Sequence, residues 1–226
     1  MRFAFALLIP LCPVLLARAQ PGPTAEEKAA MAAVTKLGGK AGHDPELPEG
    51  ARVTAKFDAA NDTLLKNLAK HPEVGSIQAL DSRQCTEKGF AALQTLPNLR
   101  RLTLNTSGVS GKELETIVGC KNLRELVIPA NTLTDDSLTH LLKLPRLEAL
   151  DVGENPKLTD KAAATIAMLE RVERLNLGTT GLTDRGLAEL KPLEGLRELY
   201  VGGTKVTATA AEKFADEMPN LRVVRR

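Results

Sequence analysis

The stretch Leu99-Arg100-Arg101-Leu102-Thr103-Leu104 has an apolar spacing, Leu-x-x-Leu-x-Leu, that returns along most of the chain. Related phrases begin at Val74, Leu123, Leu147, Val172, Leu196 and Leu221. Successive starts lie 24 or 25 residues apart, a regularity that chance clustering of apolar residues does not produce. Self-similarity at such a period indicates a repeat protein in which each repeat is one supersecondary unit.

Each repeat divides into a strand half and a helix half. The alternation in Leu102-x-Leu104 has a period of two, which predicts a strand with one buried face. The second half begins with a Thr, Ser or Asn suited to cap a helix, and Ser110 with Glu113 forms a potential capping box. The matching second halves begin at Cys85, Val109, Leu133, Leu158, Leu182 and Val206. Because one unit cannot bury its apolar face alone, the units must stack.

Stacking predicts an α/β solenoid with a curved parallel sheet on the concave side and helices on the convex side. Identical columns then meet at about 4.8 Å across the sheet. The expected rungs of the core are Leu102, Leu126, Leu150, Leu175 and Leu199. A partial last copy from Leu221 places Val224 in the same column.

These phrases resemble the leucine-rich repeat family, in particular the variety with Thr-Asp-x-Gly-Leu after the strand that is common in exported bacterial proteins. The resemblance covers residues 51–226 as about seven repeats. It implies a polar column that hydrogen-bonds the loop backbone of adjacent coils. Its members here are Ser107, Asn131, Thr180 and Thr204, with Asn155 leading into the unit that has one extra residue. Since such repeats serve many partners, the resemblance predicts fold more sharply than function.

Residues 1–19 have the layout of a secretory signal peptide. A basic start and a short apolar stretch precede Ala17-Arg18-Ala19, which predicts cleavage after Ala19. Two alternatives are a lipoprotein anchored at Cys12, against which the bulky Leu11 argues, and an uncleaved N-terminal anchor. No later stretch is long and apolar enough to cross a bilayer, so we expect a secreted or periplasmic chain without an integral membrane segment after cleavage.

Residues 20–50 are predicted to cap the first repeat with a helix and a loop. Thr24 and Glu27 form a potential capping box, and Gly38-Gly39 ends the helix. The end of a solenoid exposes apolar surface, which such a segment would cover. The alternative interpretation is a loose linker to the cell envelope.

The composition disfavours several classes of partner. Loss of the signal removes Arg2 and Arg18, and residues from 20 onward then carry 28 basic and 28 acidic side chains. This balance argues against nucleic acid and anionic membranes, which reward a positive excess. With five Phe, one Tyr and no Trp, the 37 Leu residues must build the core.

No catalytic site, metal site or cofactor is predicted. The histidines His43, His71 and His140 lack metal-ligand spacing, and neither a nucleophile elbow nor a phosphate loop occurs. An acidic column consists of Glu87, Asp135, Asp160 and Asp184. A calcium ladder is disfavoured because calcium takes six to eight oxygens, whereas each of these acids sits at a helix N-terminus.

Cys85 and Cys120 fall in core columns of different parts of the coil. Two buried free thiols are therefore predicted, and a disulfide is disfavoured because the Cα atoms would have to lie about 4.4 to 6.8 Å apart.

The concave strand face is the predicted binding surface for a protein or peptide. Its candidate residues are Arg101, Thr103, Glu125, Val127, Asp151, Arg174, Asn176, Glu198 and Tyr200. Tyr200 is the one residue of a type common at binding hot spots, although it could instead cover a neighbouring coil. The sheet alone is smaller than the roughly 800 Å² per partner of a standard interface, so flanking loops or a solenoid end must contribute.

The sequence therefore predicts non-catalytic protein binding in the cell envelope or outside the cell. The alternative is a structural or adhesive envelope component that binds glycan or matrix weakly through many copies, and an enzyme is disfavoured.

Overall fold

The computed structural model describes residues 22–105, 108–218 and 220–225. Nine strands in this part of the chain form one sheet whose spatial order is the chain order. The strands are β1 (Lys40–His43), β2 (Val53–Phe57), β3 (Val74–Ala79), β4 (Arg101–Leu104), β5 (Glu125–Val127), β6 (Ala149–Asp151), β7 (Arg174–Asn176), β8 (Glu198–Tyr200) and β9 (Arg222–Val224). We call each strand with the helix that follows it a coil, named by its strand.

One helical segment lies between most successive strands. The helices are α1 (Ala25–Lys36), α2 (Asp62–Leu68), α3 (Glu87–Leu93), α4 (Gly111–Ile117), α5 (Asp135–Leu138), α6 (Asp160–Ile166), α7 (Asp184–Glu189) and α8 (Ala208–Glu217). A short 3-10 helix, Thr139–Lys143, continues α5. None of the helices in the described ranges has the length and apolar character needed to span a bilayer.

The predicted core rungs are confirmed. Strands β2 to β9 run parallel, and the register pairs Leu102 with Leu126, Leu126 with Leu150, Leu150 with Leu175, and Leu175 with Leu199. These leucines are at most 3% exposed and share one core cluster with the inward residues of the helices. The sheet therefore buries one face against the helices and leaves the other, which we call the open face.

The prediction for the last copy was wrong by one residue. Val223 pairs with Leu199, and Val224 pairs with Tyr200. The Leu221 N–H donates to the Met218 carbonyl, as in the earlier turns, but the chain then reaches the sheet one residue sooner. Because strand side chains alternate between faces, this slip moves Val224 from the core to the open face.

A buried glutamate joins α1, β1 and β2 at the first end of the sheet. Glu27 is fully buried, and its carboxylate accepts from the Thr24 N–H at 2.9 Å and from the Arg52 N–H at 3.3 Å. His43 Nε2 lies 3.5 Å from the same carboxylate. Burial raises the pKa of Glu27, but these N–H groups and the nearby charges of His43 and Arg52 outweigh it, so the pKa is lowered.

The predicted signal peptide, 1–19, lies outside the described residues.

Aspartates at helix starts connect neighbouring coils. Asp160 accepts from the Thr183 N–H at 2.8 Å and from the Thr183 hydroxyl at 2.7 Å. The same paired bonds join Asp62 to Thr86, Asp135 to Thr159, and Asp184 to Thr207. Each of these carboxylates thus holds the helix-capping threonine of the next coil.

The polar column behaves as the resemblance implies at two of its members. Asn131 is 8% exposed; its side chain accepts from the Val109 N–H at 2.8 Å and donates to the Leu104 carbonyl at 3.1 Å, both in the preceding coil. The Asn155 side-chain oxygen likewise bonds the coil before it, accepting from the Asn131 N–H at 3.2 Å. Ser107 lies outside the described residues.

The same implication was wrong for the other two members of the column. The Thr180 hydroxyl donates to the Leu177 carbonyl and the Thr204 hydroxyl to the Val201 carbonyl, each at 2.7 Å and within its own coil. A threonine side chain is too short to make the two-ended bridge that an asparagine amide makes.

Candidate functional site

The open face carries two rows of side chains set by the parallel register. The first row is Ser76, Arg101, Glu125, Ala149, Arg174, Glu198 and Arg222. The second row is Gln78, Thr103, Val127, Asp151, Asn176, Tyr200 and Val224. All nine residues proposed from the sequence lie in these rows, because the face of each position follows from the strand period and the repeat register.

A groove of about 330 Å³ crosses the open face from β5 to β9. Its floor includes Ala149, which is 6% exposed and forms a notch between longer side chains. Arg222 and Val224 also line the groove. Val224 was not predicted to lie on this face because of the one-residue slip. The apolar pair Val223-Val224 could have indicated two opposite faces.

A chain of hydrogen bonds fixes the polar side chains in the middle of the groove. The Asp151 carboxylate accepts from the Gly153 N–H at 2.9 Å and from the Asn176 side-chain amide at 3.0 Å. The Asn176 amide oxygen accepts in turn from the Gly178 N–H at 2.8 Å. These two side chains are therefore held in place by hydrogen bonds within the protein.

Tyr200 combines a structural contact with an exposed surface. Its ring lies over Gly178 of the preceding coil, and a Cβ added at that glycine would come within 2.5 Å of ring atom Cε1. The side chain nevertheless remains 36% exposed. The ring is thus positioned by the glycine and still presents apolar surface to the solvent.

Two arginines of the open face form ion pairs with carboxylates. Arg174 reaches across Ala149 to Glu125, with 3.7 Å between their charged atoms. Arg101 pairs with Asp44, which belongs to the loop after β1. That loop therefore forms a wall beside the first half of the open face. No repeat-based signal could place it there.

The comparisons with known proteins agree on the architecture. A scan against protein-family models finds no match. Over 144 residues the chain is 28% identical both to tubulin-specific chaperone E of Homo sapiens, covering 60% of this chain and 27% of that protein, and to Tsukushi of Gallus gallus, covering 63% and 39%. Internalin C2 of Listeria monocytogenes superposes with a TM-score of 0.56 at 20% identity, over 91% of this chain and 87% of that one. The chain has the fold of the leucine-rich repeat proteins.

The two described cysteines and three aspartates of the acidic column take part in packing. Cys85 and Cys120 are buried free thiols, as predicted, and burial raises the pKa of each to about 12. A thiol with so high a pKa is a poor nucleophile at neutral pH. In the acidic column, Asp135, Asp160 and Asp184 use both carboxylate oxygens to hold the next coil.

Proposed function

We propose that this leucine-rich repeat protein binds another protein, without catalysis, through the groove of the open face. The observation that carries the proposal is the fixed Asp151–Asn176 pair beside the exposed ring of Tyr200. Preorganised polar groups next to an aromatic anchor are typical of binding hot spots. The curated relatives support a binding role only in general terms, since the chain spans 27% and 39% of their lengths.

The partner is proposed to extend beyond the sheet onto the loop after β1. A standard interface buries about 800 Å² on each partner, which is more than short strands alone provide. The Asp44–Arg101 pair fixes the loop against β4 and makes one continuous surface with the groove.

The proposed location is outside the cytoplasm. It rests on the signal-like sequence of residues 1–19, with cleavage after Ala19 and residues 20–50 as a cap on the repeats. Amino-terminal sequencing of the mature protein from the culture medium and the envelope fraction tests this: a first residue of Gln20 is expected, and an intact Met1 would contradict it.

The binding proposal is tested by cross-linking in the native envelope followed by measurement of affinity for the captured protein. Tyr200→Ala and Asp151→Arg should each weaken binding at least tenfold, because hot-spot truncation and charge reversal act at the centre of the interface. Glu189→Arg, an equal charge reversal on the exposed side of α7, is the matched control and should bind as the wild type. Unchanged affinity in both groove variants, or retention only on cell-wall polysaccharide, would contradict the proposal.

A further inference from the structure

Three arginines gather at the edge of the sheet where β4, β5 and β6 begin. Arg100 and Arg124 directly precede β4 and β5, and Arg146 lies three residues before β6. Asn122 holds the outer two: the Arg100 guanidinium donates to its carbonyl at 3.2 Å and the Arg146 guanidinium to its side-chain oxygen at 2.9 Å. We call these three residues the arginine edge.

The arginine edge carries an excess of positive charge. Arg124 pairs with Glu148, whereas neither Arg100 nor Arg146 has an ion-pair partner among the described residues. The pKa of Arg100 is lowered, first by burial and then by the charges of Arg124 and Arg146. By contrast, Arg101 and Arg174 on the open face are paired with carboxylates. Asn122 therefore holds two guanidinium groups that lack an ion pair near a third, against a mutual repulsion that the charge of Glu148 offsets only in part.

A second groove joins the arginine edge to the open face. Arg100 and Arg124 line this groove of about 410 Å³, and residues Glu46 to Pro48 of the loop after β1 form its opposite wall. Glu125 and Arg174 line both this groove and the groove of the open face. A chain seated on the face could therefore continue past Arg100 without leaving the surface.

We propose that the arginine edge binds carboxylate side chains in an acidic segment of the protein partner. This inference rests on the proposed function and adds the chemistry of the partner. A guanidinium donates two parallel hydrogen bonds to a carboxylate, and an incoming negative charge relieves the repulsion between Arg100 and Arg146. Glu46, Glu125 and Glu148 border the groove, so the positive region is short and fits one or two carboxylates better than an extended polyanion.

The test measures binding of a fluorescent hexaglutamate peptide at low salt by anisotropy. The Arg100→Gln/Arg146→Gln double variant should weaken binding at least tenfold. Arg171→Gln/Arg185→Gln removes the same charge from exposed positions elsewhere and should change binding less than twofold. Thermal unfolding of both variants verifies that they are folded.

Several results would overturn the assignment. The first two are failure of the wild type to bind hexaglutamate and equally tight binding of hexaglutamine. The other two are equal losses of affinity in the two double variants and tighter binding of a heparin hexasaccharide than of hexaglutamate at the arginine edge. Each of these outcomes contradicts the inference.

The experiments also separate the two proposals. If Tyr200→Ala releases the partner and the Arg100→Gln/Arg146→Gln variant retains it, the arginine-edge inference fails alone. If hexaglutamate requires the edge but the groove variants retain the partner, the open-face proposal fails alone.

Discussion

Two junctions between neighbouring coils show different ways of joining the same leucine core. At the β4–β5 junction, Gly111 follows the capping Ser110, and no aspartate is available to reach Thr134. Asn131 makes the polar connection instead, at the opposite corner of the coil. At the β6–β7 junction, Asp160 holds Thr183, while Thr180 bonds only within its own coil.

The hydrogen bonds at a helix cap depend on whether the preceding coil supplies an aspartate. Where the preceding coil lacks the aspartate, the cap is closed locally: Ser110 bonds Glu113, and the Thr134 N–H donates to the Ser137 hydroxyl. Where the aspartate is present, the cap of one coil depends on the coil before it. A polar link at one corner can therefore replace a link at the other, and the β5–β6 junction has both.

The largest effect is expected at Asn131. Asn131→Ala should lower the free energy of unfolding by about 2 to 4 kcal/mol, because it leaves the buried Val109 N–H and Leu104 carbonyl without their partner. Thr180→Ala, which removes one bond within its own coil, should cost about 1 kcal/mol. Urea unfolding measures both, and equal losses would contradict the distinction between the two junctions.

A smaller loss is expected from the aspartate link. Asp160→Ala should lower the free energy of unfolding by about 1 to 3 kcal/mol, because the Thr183 N–H and hydroxyl lose a charged acceptor. Glu87→Ala is the matched control: Glu87 also begins a helix, α3, so both variants lose the same interaction with the helix dipole. The ion pair from Glu87 to Lys112 at 3.9 Å is exposed, so the loss should stay within about 0.5 kcal/mol.

The repeat pattern predicted the fold because two periods agree. The strand period selects Leu102 and Leu126 as inward residues, and the 24-residue period stacks them. Among the strand positions of the core, only Val223 and Val224 were assigned to the wrong faces, since two adjacent valines satisfy either register. The aspartate–threonine links could also have been predicted from the sequence. An aspartate follows the helix-capping residue in the regular repeats, and Gly111 interrupts this series.

The proposed binding surface was predictable only where it follows the repeats. The rows of the open face come directly from the register, so Asp151 and Tyr200 could be placed beforehand. The Asp44–Arg101 pair joins residues 57 positions apart through a loop outside the repeats. The role of Asn122 depends likewise on loop packing, which no periodic signal encodes.

Adding an aspartate should bring the two junctions closer in stability. Gly111→Asp offers Thr134 an acceptor in the preceding coil, and Ser137→Ala removes the hydroxyl that now accepts from the Thr134 N–H. The Cβ of residue 137 remains 3.3 Å from the Cβ position of residue 111, so the helix start must shift by a few tenths of an ångström. We expect this double variant to be about 1 kcal/mol more stable than Ser137→Ala alone, close to the usual worth of a hydrogen bond. A double-mutant cycle by thermal unfolding measures the coupling, and additivity of the two changes would mean that no link forms.

The smallest effect concerns acid. Burial raises the pKa of Asp62, but hydrogen bonds from the side chain and backbone of Thr86, the charge of Lys66 and the Gly89 N–H outweigh it, so the pKa is lowered. A carboxyl with a lowered folded-state pKa contributes stability above its unfolded pKa of about 3.9 and loses that contribution as the pH falls through the folded value. Asp62→Asn should therefore flatten the decline in unfolding free energy below about pH 4. A wild-type slope in Asp62→Asn would show that the junction bond does not govern the acid response.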